Sequence, residues 1–187
     1  IIRERLQKNP DQVQLWRILA QNSPVGTNNY AAREKLVRKF SDQLTPQDWE
    51  MIASGYWWDR QYTKAIQAYK QAPGTPEKGY RIARGLEITN RKAEAKEAYK
   101  TLFKAFPKAE ETGQGLMRFA QLVNTKDALP YLNLAIQNFP RQAPDALRKK
   151  AEILVNIGDY AGAQQAYQIL LTKYAKSEAT ARYRWET

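Results

Sequence analysis

The sequence predicts an all-α fold, a solenoid of stacked antiparallel helix pairs. Three observations carry this. Apolar residues recur at helical spacing, as in Ile153, Leu154 and Ile157, and strand-like alternation is absent. A turn–Tyr–x-x–Ala–x-x-x–Tyr pattern occurs twice, at Asp59–Tyr69 and Gly158–Tyr167. Its small-residue position extends to Ala65, Ala95, Ala128 and Ala163, spaced 30, 33 and 35 residues apart, a period that marks helical repeats.

The elements follow in order. Pro10, Trp16, Leu19 and Ala20 predict a first helix A, and Tyr30 to about Phe40 its helix B, after an irregular connection from Ser23 to Asn29. Ser41-Asp42, Thr45-Pro46 and Thr75-Pro76 read as helix starts, the last two with Pro at the first helical position. Asn9-Pro10, Phe106-Pro107 and Phe139-Pro140 read as helix ends, because proline disfavours a helical residue before it. Ala53, Ala83 and Ala151 let backbones approach, while Trp49, Tyr56, Tyr69, Tyr99, Phe119 and Tyr167 fill the gaps between helices. Trp16, Trp49 and Trp185 take core or capping positions. Trp57 and Trp58 point about 100° apart on a helix, so at most one sits centrally in a core.

These Ala and Tyr positions, with Trp49, Ala53 and Tyr56 upstream, resemble the tetratricopeptide repeat (TPR). The resemblance implies a right-handed superhelix, with an irregular pair over 1–44, repeats over about 45–75, 76–108, 109–142 and 143–175, and a capping helix over 176–187. One pair cannot bury its own faces, but stacked pairs share a continuous core. The chain opens inside a helical pattern and is expected to be a segment of a longer protein.

Composition excludes much chemistry. With no Cys and no His there is no disulfide, thiolate nucleophile, Cys or His metal site, or Ser-His-Asp triad, and no cofactor or metal is expected. No apolar run reaches the roughly 18 residues of a membrane span. Thirty Lys and Arg against 19 Asp and Glu leave a formal charge of +11, which favours an anionic partner or serves as a solubilising surface. Nucleic acid is not expected: the aromatics follow the repeat period, and the longest basic run, Arg148-Lys149-Lys150, is short.

A narrower resemblance lies in Leu44–Trp49, Gly55-Tyr56-Trp57-Trp58-Asp59-Arg60, Pro73–Pro76, Tyr80–Leu86 and Asp127–Leu132. These are similar to the helical region of soluble lytic murein transglycosylases of cyanobacterial type, from about Thr45 to Trp185. The resemblance implies a non-catalytic segment that positions or encloses peptidoglycan strands. A separate catalytic domain of the same parent chain, beyond Thr187, would carry the chemistry, at an extracytoplasmic site. The stretch Thr112-Gly113-Gln114-Gly115-Leu116-Met117-Arg118 looks like that family's Gly-Leu-Met-Gln motif, but Arg118 replaces the Gln and no Glu-Ser pair occurs. The nearest upstream acids, Glu94 and Glu97, fall on a polar helix face, and a lone carboxylate acts as a general acid only when burial raises its pKa. No residue of this chain is therefore expected to be catalytic.

The alternative is a stand-alone TPR scaffold binding an acidic protein partner. In TPR proteins helices A line the concave face, and Tyr80, Arg81, Arg84, Arg118, Arg148 and Lys149 lie on predicted helices A. With Trp57 these are the candidate binding residues, since Arg forks suit carboxylates and Trp anchors interfaces. The carboxylate clamp of some TPR proteins is not expected, because Glu50, Ser54, Glu77, Asp145 and Glu152 stand where its Lys and Asn would.

Overall fold

The computed structural model describes residues 2–21 and 27–180. The described residues include the α-helices α1 (Ile2–Lys8), α2 (Val13–Gln21), α3 (Thr27–Lys39), α4 (Pro46–Trp58), α5 (Tyr62–Gln71), α6 (Pro76–Ile88), α7 (Lys92–Ala105), α8 (Glu110–Val123), α9 (Leu129–Asn138), α10 (Ala143–Asn156) and α11 (Tyr160–Lys173), with two 3-10 turns and helical residues at 178–180. No strand occurs among the described residues. The result is a solenoid-like helical repeat fold. The chain forms two compact units, Ile1–Ala95 and Lys96–Thr187, with the boundary inside α7.

Local chemistry explains the helix ends. Thr45 caps α4 by accepting the Asp48 N–H at 3.2 Å, and the Asp48 carboxylate accepts the Thr45 N–H at 2.9 Å, a capping box ahead of Pro46. Thr75 caps α6 by accepting the Lys78 N–H at 3.1 Å, again ahead of a proline. Ser41-Asp42 does not start a helix; only the 3-10 turn Ser41–Gln43 forms there, because the Thr45 cap leaves no room for more. Helix α3 starts at Thr27, earlier than Tyr30, so the connection is shorter than the sequence suggests. Residues 22–26 of that connection lie outside the described residues, as do Trp185 and most of the expected capping helix.

The turns between paired helices repeat. Arg60, Asn90, Asn124 and Gly158 carry positive φ of 58, 60, 49 and 83°, spaced 30, 34 and 34 residues apart. After α4 the Arg60 N–H donates to the Trp57 carbonyl at 3.0 Å and the Gln61 N–H to the Tyr56 carbonyl at 2.8 Å, a Schellman closure. The turns after α6 and α10 close in the same way, through Arg91 to Leu86 and Asp159 to Leu154. Left-handed geometry suits Gly and Asn, while Arg60 adopts it against its preference.

In the N-terminal unit α2 packs on α3, α4 on α5 and α5 on α6. Its core joins Leu36 and Phe40 of α3 to Ile52, Ala53 and Tyr56 of α4 and Ala65, Ala68 and Tyr69 of α5. Trp16 and Trp49 pack at its margin, half-buried. In the C-terminal unit Leu116, Ala120, Ala128, Leu132, Ala135 and Ile153 form one cluster. Leu147, Ala151, Leu154, Ala163, Ala166 and Leu170 form the other. Ala128 is buried as expected but sits on the 3-10 turn Lys126–Ala128, not within a helix B. Ile157 leaves the apolar stripe: it is the C-cap of α10 and is 50% exposed.

Gly113 and Gly115, in the stretch that looks like a Gly-Leu-Met motif, are packing residues of α8. A Cβ on Gly113 would lie 2.7 Å from Phe139 Cδ1, and one on Gly115 3.0 Å from Phe103 Cε1. Gly113→Ala is therefore expected to destabilise the chain by about 1–3 kcal/mol through overpacking. Gly74→Ala, where nothing lies within 4 Å, serves as the neutral control in the same urea titration.

Candidate functional site

The sequence-predicted residues fall on both units. On the N-terminal unit, Trp57 and Trp58 end α4, while Tyr80, Arg81 and Arg84 lie on α6. The two indoles diverge as their helical spacing requires. Trp57 is half-buried, edge-on to Tyr62 with ring centroids 5.2 Å apart, and Trp58 is 61% exposed. The Arg81 guanidinium lies over both rings, 4.7 Å from the Trp57 centroid and 5.7 Å from that of Trp58. It also donates from Nε and Nη2 to Glu77 Oε1, at 3.1 and 3.0 Å. One turn on, Arg84 pairs with Glu87 at 2.6 Å. Tyr80 is half-buried on the same helix.

On the C-terminal unit, Arg118 of α8 is half-buried and makes no ion pair among the described residues. Arg148 and Lys149 of α10 share Glu152: Arg148 pairs with Oε1, and Lys149 approaches Oε2 at 3.3 Å. The Arg148 Nε is buried without a hydrogen bond.

The candidate residues Arg81 and Arg84 of α6 and Arg148 and Lys149 of α10 thus each meet a carboxylate three or four positions away on their own helix. Such pairs are worth only about 0.2–0.5 kcal/mol each, but they offset the local charge. An anionic ligand at Arg81 must compete with Glu77. What α4 and α6 still offer is an exposed indole backed by a positioned guanidinium. Glu94 and Glu97, the acids weighed against catalysis, are exposed on α7.

A second constellation went unnoticed in the sequence. Glu34 of α3 accepts the Tyr56 hydroxyl at 2.6 Å and Lys64 Nζ at 2.8 Å on Oε1, while Arg38 stands 3.3 Å from Oε2. Lys64 also donates to the Tyr30 hydroxyl at 2.6 Å. Burial opposes ionisation of Glu34, but the hydrogen bonds from Lys64 and Tyr56 and the charges of Lys64 and Arg38 outweigh it, holding the carboxyl below its ordinary value of 4.5. Burial first, and then the Glu34 hydrogen bond, push the Tyr56 hydroxyl far above its ordinary range, so it remains a donor. Spacing gives no signal of it: buried Ala32, Arg33 and Leu36 of α3 match Ala65, Ile66 and Tyr69 of α5 at 33 residues, whereas Glu34 and Lys64 are 30 apart and hold different places on their helices.

Beside it, Arg33 is buried, 1% exposed, and pairs with Asp59. The stretch Gly55–Arg60 that carries the narrower resemblance is thereby mostly structural. Gly55 makes room for Arg33, Tyr56 binds Glu34, Trp57 packs on Tyr62, Asp59 neutralises Arg33 and Arg60 makes the turn. Trp58 alone of the six presents a large exposed apolar side chain for a ligand.

Residues 145–177, spanning most of α10 and α11, match a tetratricopeptide repeat family model. No curated protein matches the chain. Among solved structures it is similar to YrrB, a TPR protein with an unusual peptide-binding site, at 10% identity and a TM-score of 0.70, over 98% of this chain and 97% of that one. It is also similar to PilW, a type IV pilus biogenesis factor, at 14% identity and a TM-score of 0.63, over 97% and 87% of the two chains. A third similar structure is pilF of Pseudomonas aeruginosa, at 17% and 0.58, over 100% and 87%. At these identities the likeness is one of fold. Among the described residues no helix is long and apolar enough to cross a membrane.

Proposed function

We propose that this TPR-like helical repeat protein is a non-catalytic scaffold for protein–protein interaction, engaging a partner through the end of α4 and the adjoining face of α6. The observation that carries this is Trp58, 61% exposed beside a guanidinium that also covers Trp57. Trp and Arg dominate interface hot spots, and covering an exposed indole gains apolar burial without ordering a flexible chain. Repeat folds offer long surfaces for such contacts. YrrB, of similar fold, has a peptide-binding site.

The test is retention of partners from an extract of the source cell by the immobilised chain, compared with Trp58→Ala and Arg81→Gln. Discrete proteins held by the native chain should be retained at least about tenfold less by either variant, the loss expected for a hot-spot residue. Equal retention by all three chains overturns the reading.

A second reading is favoured by the same exposed indole, whose flat face suits a sugar ring. In it the chain is the superhelical segment of an extracytoplasmic lytic transglycosylase, holding peptidoglycan for a catalytic domain elsewhere in its parent. Purified sacculi in the same assay test it. Retention at about 0.05 M salt that is lost at about 1 M, where the Debye length shrinks to about 3 Å, supports peptidoglycan. No retention at low salt removes it.

A further inference from the structure

A cleft of about 450 Å³ opens between α3 and α5, with Trp49 and Tyr56 of α4 among its walls. Its size falls within the roughly 300–1,000 Å³ of ligand sites. The cleft is lined chiefly by two successive helices B and uses none of the candidate residues of α6.

Its chemistry divides into three parts. The first is a fixed positive edge. Glu34 is fully engaged by Tyr56, Lys64 and Arg38 and acts as an anchor. Lys64 spends two of its three N–H groups on Glu34 and Tyr30 and retains one. The Arg38 side chain is 79% exposed and held only by its 3.3 Å approach to Glu34, so most of its fork is available. Two cations against one carboxylate leave this edge with one net positive charge, in a chain whose formal net charge is +11.

The second part is a pair of amides. Gln67 and Gln71 line the cleft one helical turn apart on α5, both exposed, and neither side chain makes a hydrogen bond among the described residues. Four residues of helix rise about 6 Å. Two residues of extended chain span about 6.6–6.8 Å, so the two amides match alternate peptide groups of an extended segment. The third part is apolar: Val37 and the half-buried Trp49 supply a wall for one hydrophobic side chain.

We propose that the cleft between α3 and α5 binds an extended segment of an acidic protein. A carboxylate of that segment pairs with Arg38 and Lys64, its backbone bonds Gln67 and Gln71, and an adjacent apolar side chain rests on Trp49. This is a second site, built from residues other than Trp58 and Arg81.

Three C-terminally amidated hexapeptides with fluorescein on the N-terminal amine test it by anisotropy with the full chain at low salt: fluoresceinyl-Gly-Glu-Leu-Glu-Leu-Gly-amide, the same with Lys for Glu, and the same with Ser for Leu. The Glu-Leu peptide should bind, the Lys-Leu peptide should not, and the Glu-Ser peptide should bind at least about tenfold more weakly, as loss of the apolar contacts implies. Arg38→Gln should weaken the Glu-Leu peptide by roughly tenfold, the worth of one charge-assisted hydrogen bond. Gln67→Ala with Gln71→Ala should weaken it as well, whereas Trp58→Ala and Arg81→Gln should leave it unchanged. Arg38, Gln67 and Gln71 are exposed, so circular dichroism melts should match the native chain. Failure of the Glu-Leu peptide to bind at millimolar concentration overturns the proposal. So does binding that survives Arg38→Gln but is lost in Arg81→Gln, which would move the peptide to the α6 face and leave the scaffold reading intact.

Discussion

Gly55→Ala is expected to destabilise the chain by about 3–5 kcal/mol, the cost of separating a buried ion pair. That is a large share of the roughly 5–15 kcal/mol that holds a domain together. The sign is the informative part. Ala in place of Gly within a helix ordinarily stabilises by up to about 1 kcal/mol. Here the new Cβ would lie 2.6 Å from both Cδ and Nε of Arg33 and 2.7 Å from its Cζ. Arg33 is buried and fixed by Asp59, so it cannot yield without leaving that carboxylate. Urea denaturation measures the effect directly. In an Arg33→Met background, where the guanidinium is gone, Gly55→Ala should cost much less, and the difference is the coupling between the two positions. Equal costs in both backgrounds would falsify the account.

Asp48→Ala should cost about 3–4 kcal/mol, because one carboxylate serves two structures. It completes the capping box of α4 with Thr45 and receives Arg17 of α2 through Nε at 3.0 Å and Nη2 at 2.8 Å. Removing it takes the acceptor of the Thr45 N–H, half of the capping box, and strands a largely buried guanidinium, though Arg17 keeps the Gln43 carbonyl at 2.8 Å. The same residue sets a pH dependence. Burial opposes ionisation, but hydrogen bonds from Thr45 and Arg17 win, and the folded carboxyl titrates below its ordinary value of 3.8. A depressed carboxyl contributes stability that is fully present above its unfolded value and lost as pH falls through its folded value. Glu34 adds to this in the same direction, from its ordinary value of 4.5. Melting temperatures should therefore hold from neutral pH to about 5 and drop below about 4. Asp48→Asn should start lower and lose less over the acid range. A native chain whose melting temperature is level from pH 7 to pH 3 contradicts this.

The helices and their repeat were legible in the sequence because their causes are local. Thr45-Pro46 and Thr75-Pro76 cap helices with atoms three residues away. Phe106-Pro107 and Phe139-Pro140 end them through the proline ring. Ala53, Ala65, Ala83, Ala95, Ala151 and Ala163 are buried because only a small side chain lets two helices approach there. The divergence of Trp57 and Trp58 followed from helical geometry alone. The charged residues were another matter. Arg81, Arg84 and Arg148 read as free cations of a groove, and the fold gives each a carboxylate on its own helix.

The amino-acid sequence by itself determined that the chain is helical and where helices such as α4, α6, α7 and α9 start or stop, since these depend on residues a few positions apart. Only the tertiary structure decided that Arg33 is buried against Asp59, that Asp48 holds Arg17, and that Tyr30, Glu34, Tyr56 and Lys64 meet beside a cleft. Those partners stand about one repeat apart in the chain and touch because successive helix pairs stack. In the sequence the charged members of these sets are indistinguishable from a solvated polar face, and the burial that makes them matter comes only from the neighbouring repeat.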